Sequence, residues 1–145
     1  MLIRGLEFPE HLYYHAQHMI WIARAPDNVL TLGLTPLAAA TAGEILLFIG
    51  KAVGWTIDRD RAVGNVETGK TVSAVRTPVA GVLVEVNSAL ALGAIRINSD
   101  PYGTWLVRLR PEDWERDSGK LLFGRDAAAA LEAEMDNNGY EGDQQ

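Results

Sequence analysis

The sequence predicts an all-β domain with small helical additions, and three observations carry that prediction. From Val63 to Pro111, hydrophobic residues recur with period two in short runs separated by turn residues. Helix-forming composition with an end signal is confined to two segments, 35–43 and about 126–136. Strand-like and helix-like stretches do not alternate as they would in a parallel sheet.

The elements follow in order. In MIWIARAPDNVLTLGL two β-rich runs flank Pro26-Asp27-Asn28, which is turn chemistry suited to a hairpin. TPLAAATAGE reads as a short helix, with Thr35 as N-cap, Pro36 at the first position and Gly43 just past the end. EILLFIG is a compact strand. VGNVE then leads through TGKT into VSAVR, and TPVAG leads into VLVEVN, where alternation places Val82, Val84 and Val86 on one face. In TWLVRLR, Trp105, Val107 and Leu109 face one way and Arg108 and Arg110 the other. DAAAALEAEM is the one substantial helix, about 126–136, capped by Asp126, and a frayed acidic tail is expected over 137–145.

At 145 residues the chain is expected to be a single domain, 1–145, large enough to bury its own core. It contains no cysteine, which excludes disulfide scaffolding, zinc–thiolate sites and thiol nucleophiles. The net charge of −6 is concentrated after Glu112, and no basic stripe with interleaved aromatics suggests nucleic acid. Apolar runs fall short of the roughly 18–20 residues of a membrane span, and the charged, proline-broken start does not resemble a secretory signal. A cytoplasmic monomer is expected, with no nucleic-acid or membrane partner.

One segment carries a chemical signal. GNVETGKT, Gly64 to Thr71, matches the phosphate-binding pattern G-x-x-x-x-G-K-[ST]. A phosphate loop needs a buried strand before it and a helix starting at its lysine, so that free N–H groups face the phosphates. Here DRDRAV precedes the match, Glu67 would place a carboxylate in the cradle, and β-branched residues with Pro78 and Gly81 follow. The segment reads better as a hairpin, with Gly69 taking a positive φ at the turn and Lys70 projecting from the tip. Lys70 is the only lysine between Lys51 and Lys120. A lone amine on a rigid turn suits a covalent swinging arm.

The wider stretch VETGKTVSAVRTPVAGVLVEVN resembles the lysine region of glycine-cleavage H-protein-like carriers. Val66, Glu67, Lys70, Ser73, Pro78, Val79, Gly81, Val84, Glu85, Val86 and Asn87 fall in register with that family's pattern without a gap. Trp21 with TLGLT, and NSDPYGTWLVRLRP, extend the likeness over roughly residues 13–135. The resemblance implies a flattened β barrel-sandwich of the lipoyl/biotinyl-carrier type with a C-terminal helix. It also implies a non-catalytic carrier with lipoic acid covalently attached to Lys70 by a lipoate-protein ligase. Biotin carriers flank their lysine with methionine, which Gly69 and Thr71 do not match.

Departures from the family pattern bear on the cargo. Where that pattern has H-E-W, this chain has Met19-Ile20-Trp21, and where it has aspartate four residues after the lysine, this chain has Ala74. Two carboxylates that would pair with an amine cargo are therefore replaced. The opening IRGLEFPEHLYY, the E-T-G-K box and SAVRTPVAG resemble the lipoate-binding proteins of sulfur oxidation, although Thr71 and Ser73-Ala74 depart from their lysine box. That resemblance implies transport of sulfur intermediates to a cytoplasmic heterodisulfide-reductase-like complex; the alternative is a glycine cleavage H protein carrying an aminomethyl group.

The remaining candidates read as structural. His11, His15 and His18 are spaced as on a helix but match no metal-ligand motif, and no metal is expected. Trp55, Trp105 and Trp114 are expected to pack against the sandwich. Asp58 and Asp60, alternating with Arg59 and Arg61, read as a solvated charged turn, and Arg59, Arg61 and Arg76 as positive charge near the lysine.

Overall fold

Antiparallel pairing of short strands organises residues 1–142, the part of the chain that the computed structural model describes. β1 (Leu2–Ile3) and β2 (Leu6–Glu7) form a small ribbon. A seven-stranded sheet contains β3 (Tyr13–His15), β4 (Ile20–Arg24), β5 (Leu30–Leu34), β7 (Thr56–Ile57), β10 (Gly81–Val86), β11 (Val107–Pro111) and β12 (Leu122–Phe123). Its spatial order is β12-β3-β4-β5-β11-β10-β7. A three-stranded sheet has β8 (Ala62–Thr68) between β6 (Ile45–Gly50) and β9 (Val72–Arg76). Both sheets feed one apolar cluster, with Ile22, Leu32 and Leu109 from the larger and Phe48, Val63 and Val75 from the smaller. This is the flattened barrel-sandwich that the family resemblance implies.

Local chemistry explains the first elements. The β4–β5 turn closes with the Ala25 N–H donating to the Val29 carbonyl at 3.0 Å and the Val29 N–H donating to the Asp27 carboxylate at 3.1 Å. Asn28 takes the left-handed conformation, φ 68°, which asparagine tolerates. Gly33 lies against the indole of Trp21, where any Cβ would collide with the ring. Helix α1 (Pro36–Ala42) has the predicted caps: Thr35 Oγ1 accepts from the Ala38 N–H, and Gly43 ends the helix at φ 79°.

Several expectations change where long-range contacts intervene. A bulge between Leu83 and Glu85 interrupts β10, so Glu85 pairs with Arg108 and Val86 with Val107. The extra residue is Val84, and Val86 packs on the core while Val82 is exposed; the three valines do not share a face. β11 begins at Val107, and Trp105, under the Arg108 guanidinium at 4.1 Å, packs against the cluster around Phe8, Tyr14 and Trp21 rather than joining Val107 and Leu109 in the other.

Two short helices, α2 (Arg96–Ser99) and α3 (Trp114–Asp117), precede the C-terminal helix α4 (Ala128–Asn137). Asp126 does not cap α4. A 3-10 turn over Gly124–Ala127 comes first, fixed by the Gly124 N–H donating to the Leu12 carbonyl at 3.0 Å. Leu131 and Met135 seat α4 in a second cluster with Phe8, Tyr14, Trp21 and Leu37. Nor does the chain fray at 137. The Tyr140 N–H donates to the Met135 carbonyl at 2.8 Å, and Arg4 Nη1 donates to the Tyr140 carbonyl at 2.9 Å. The last three residues of the predicted tail, 143–145, lie outside the described residues.

The fully buried Asp117 ties α3 to the chain between β9 and β10. Its carboxylate accepts from the Ala80 N–H at 2.9 Å, Arg116 Nε at 2.9 Å and Arg59 Nη1 at 3.4 Å. Burial alone would raise its pKa. The hydrogen bonds from Arg116 and Ala80, with the charges of Arg116 and Arg59, hold it below the ordinary carboxylate value instead. Asp117→Ala leaves the Ala80 N–H without its acceptor and should lower stability by about 3 kcal/mol in urea unfolding. A depressed carboxylate stabilises the fold above its unfolded pKa, about 3.9. That contribution disappears as pH falls through the lower folded value, so the acid limb of stability against pH should be flatter in Asp117→Ala than in the parent.

Candidate functional site

β8 carries the lysine segment, and its composition suits a central strand. Val63 and Val66 point into the core, and the strand pairs with β6 through Phe48↔Val66 and with β9 through Glu67↔Val72. Gly64, the first glycine of the phosphate-loop match, serves this packing. A Cβ there would stand 2.5 Å from the Ile49 carbonyl oxygen and 2.7 Å from the Phe48 ring. No helix begins at Lys70: the chain turns directly from β8 into β9. The phosphate-loop architecture is absent from this segment.

Lys70 stands exposed at the tip of the β8–β9 hairpin. The turn differs from expectation, since Gly69 does not adopt a positive φ. Thr68 closes it instead. Its N–H donates to the Thr71 carbonyl at 2.9 Å, and its Oγ1 accepts from the N–H groups of Lys70 and Thr71, each at 3.2 Å. A hydroxyl fixed by the strand thus holds the backbone of the lysine itself. The signal for this was local, a threonine ending a strand just before Gly-Lys, but the glycine obscured it.

Beside the tip runs a groove of about 520 Å³. Its walls come from β5 (Leu34), α1 (Ala38, Thr41), β6 (Ile45), β8 (Val66, Thr68), β9 (Ser73, Ala74, Val75), the β3–β4 turn (His18, Met19) and Asn138 after α4. Lys70 lines its edge. None of the described lining residues is a carboxylate. Ala74 contributes a methyl to the wall. Ile20, the other position where the family pattern has a carboxylate, is fully buried opposite Leu34 and points into the core.

At one end of the groove His18 Nε2 is 2.8 Å from Asp60 Oδ1. The His15 ring stacks on His18, centroids 4.0 Å apart and planes at 22°. His15 Nδ1 accepts the His18 N–H at 3.1 Å. Burial, then the neighbouring His18 charge, pushes the His15 pKa down to about 4, so its imidazole is neutral at pH 7. The hydrogen bond from His18 draws the Asp60 carboxyl below its usual value. This grouping was hidden in the sequence because Asp60 reaches His18 across 42 residues. His11 stands apart, near Tyr13, Arg24 and Phe123.

Other expected roles also shift. Asp60 belongs to a turn, as predicted, but is committed to His18. Arg59 is paired with Asp117 and Arg76 Nη1 with the Asp60 carbonyl, so both charges sit at the foot of the hairpin rather than at its tip. Trp114 is buried edge-on to Tyr13, as expected of a packing residue, whereas Trp55 is exposed beneath the Lys51 ammonium.

Comparison with known proteins agrees with this architecture. The family model described as glycine cleavage H-protein matches residues 12–134. Glycine cleavage system H protein 5 of Aquifex aeolicus is 36% identical over 142 residues, covering 94% of this chain and 95% of the relative. The glycine cleavage system H protein of Mycobacterium sp. (strain KMS) is 34% identical over 137 residues, covering 94% and 95%. The crystal structure of a glycine cleavage system H protein from Mycobacterium marinum superposes with a TM-score of 0.71 at 30% identity, covering 91% of this chain and 99% of that one. Members of this family carry lipoic acid covalently attached to a lysine; they are carriers rather than catalysts, and they work with lipoate ligases and enzyme partners. By the span of the family match and the identity of its relatives, this chain belongs to the glycine cleavage H-protein family.

Proposed function

We propose that Lys70 is the lipoyl attachment site of a single carrier domain, 1–145, and that its swinging arm carries sulfur intermediates. The partner in this reading is a cytoplasmic heterodisulfide-reductase-like complex, and a lipoate-protein ligase installs the arm. The observation that carries the choice of cargo is the groove beside Lys70, whose described lining contains no carboxylate. An aminomethyl cargo offers a protonated or partly positive nitrogen, and a charge-assisted hydrogen bond to it would contribute about 1.5–3 kcal/mol. Sulfur cargo asks for no such partner.

The lipoyl group fits the residues present. Thr68 holds the backbone of an exposed lysine, and Leu34, Ile45, Val66 and Val75 give an apolar wall for an alkyl chain. When bound, the group supplies a redox-active sulfur pair, and lysine plus lipoyl chain reaches on the order of 14 Å from the hairpin. The protein's part is to anchor, orient and shelter. Among the described residues no helix is long and apolar enough to cross a membrane. A second reading, glycine cleavage, is favoured by the names of the relatives.

Three outcomes are expected. Intact mass after co-expression with a lipoate ligase should rise by one lipoyl increment, and Lys70→Arg should abolish the gain; an unmodified wild type would remove the site. Thr68→Val should speed amide exchange at Lys70 and Thr71 by roughly tenfold, the loss of about one hydrogen bond's worth of protection. The lipoylated protein should take sulfur from a sulfane-sulfur donor and accept little aminomethyl group from glycine and its decarboxylase. Ala74→Asp should then improve aminomethyl loading by about tenfold or more. Efficient loading of the unaltered protein from glycine would favour the second reading.

A further inference from the structure

We propose that His15, His18 and Asp60 form a binding site for one divalent cation of the zinc type, separate from the Lys70 attachment point. The three side chains each present a ligand atom, and those atoms lie within 4.8 Å of one another. They come from the end of β3, the β3–β4 turn and the turn before β8. Protein ligands around a tetrahedral cation, at 2.0–2.2 Å, stand about 3.4 Å apart. The observed spread therefore calls for side-chain adjustments on the order of 1 Å, with the His18–Asp60 contact opening from 2.8 Å.

Unusual backbone conformations occur at one ligand, Asp60, and directly after another, His18. Asp60 has φ 68° and is pinned on both sides: its N–H donates to the Thr77 carbonyl at 2.6 Å and its carbonyl accepts from Arg76 Nη1 at 3.1 Å. Met19, directly after His18, has φ 58°, with its N–H donating to the Ala16 carbonyl at 3.1 Å and its carbonyl accepting from the Thr35 N–H at 2.9 Å. Non-glycine residues in this region are strained and persist where surrounding structure imposes them. One such residue is in the cluster and the other adjoins it.

The donor set selects the cation. Two imidazoles and one carboxylate, in a chain without cysteine, suit Zn²⁺ or Cu²⁺ better than the all-oxygen shells of Mg²⁺ or Ca²⁺. His15 Nδ1 accepts a hydrogen bond from an uncharged donor, the His18 N–H, at 3.1 Å. Ligation exchanges that hydrogen bond for a metal–nitrogen bond, and the cation takes the place of the direct contact between His18 Nε2 and Asp60, with the neutral His18 ring carrying its proton on Nδ1. Three protein ligands with a half-exposed Asp60 leave the fourth position to water.

The test titrates zinc into the full-length chain and into Lys70→Arg, which has no arm and so no dithiol to compete. One equivalent should bind saturably to both, at low micromolar concentration or tighter. His15→Gln, His18→Gln and Asp60→Asn should each weaken binding by about tenfold or more, while His11→Gln binds as the parent does. Copper(II) electron paramagnetic resonance should show coupling to two imidazole nitrogens, and nuclear magnetic resonance of the zinc-bound parent should show the His18 amide shifting while the His11 ring does not. Millimolar or non-saturable binding, equal affinity in the cluster variants, or zinc retained only when the dithiol is present would overturn the site. The nuclear magnetic resonance readout uses the unaltered chain, so a variant that fails to fold does not blunt the test. Because Lys70→Arg carries no arm, the outcome is independent of the lipoyl proposal.

Discussion

β8 is paired on both sides, and the presentation of Lys70 depends on that. An isolated two-stranded hairpin is marginal in water, but here the strand is locked to β6 as well as β9, and Val63, Val66 and Val75 anchor the hairpin in the core shared by both sheets. The close approach of Gly64 to Phe48 brings β6 near enough for this pairing. Rigidity built at the base is delivered to the tip by the Thr68 hydroxyl, which engages the lysine's own N–H. The Lys70 backbone is thus held by the turn while its side chain is exposed.

The same hairpin forms one wall of the groove, so Lys70 and the groove beside it belong to one structural unit. α1 supplies the opposite side, and its capping by Thr35 and Gly43 fixes where Ala38 and Thr41 stand relative to Lys70. The groove's character comes from small and apolar side chains. Of the charged groups nearby, Asp60 faces His18 and Arg59 turns toward the buried Asp117, while Glu44 lines the adjoining hollow on the other side of Lys70.

What could be read from the sequence was local. Hairpin turns, the caps of α1, the strand alternation around Lys70 and the failure of the phosphate-loop reading all rest on residues within a few positions of one another. What escaped depended on distant partners. The bulge at Val84 is set by pairing with β11, and it moves Val86 inward. The start of α4 is set by Leu12 and the fixing of Tyr140 by Arg4, so neither Asp126 nor the polar tail revealed them. The His15–His18–Asp60 grouping joins two turns that fold brings together, and spacing along the chain carries no trace of it. Gly69 was misread for a different reason: two turn chemistries share the same letters, and the hydroxyl rather than the glycine does the closing.

That last difference frees a position. Gly69 has an ordinary backbone conformation, and a Cβ built on it meets no atom within 4 Å. Folding therefore imposes no demand for glycine next to the amine. A side chain introduced there would stand in solvent beside the Lys70 amine, so under the proposed modification its identity is open to selection by whatever recognises that lysine.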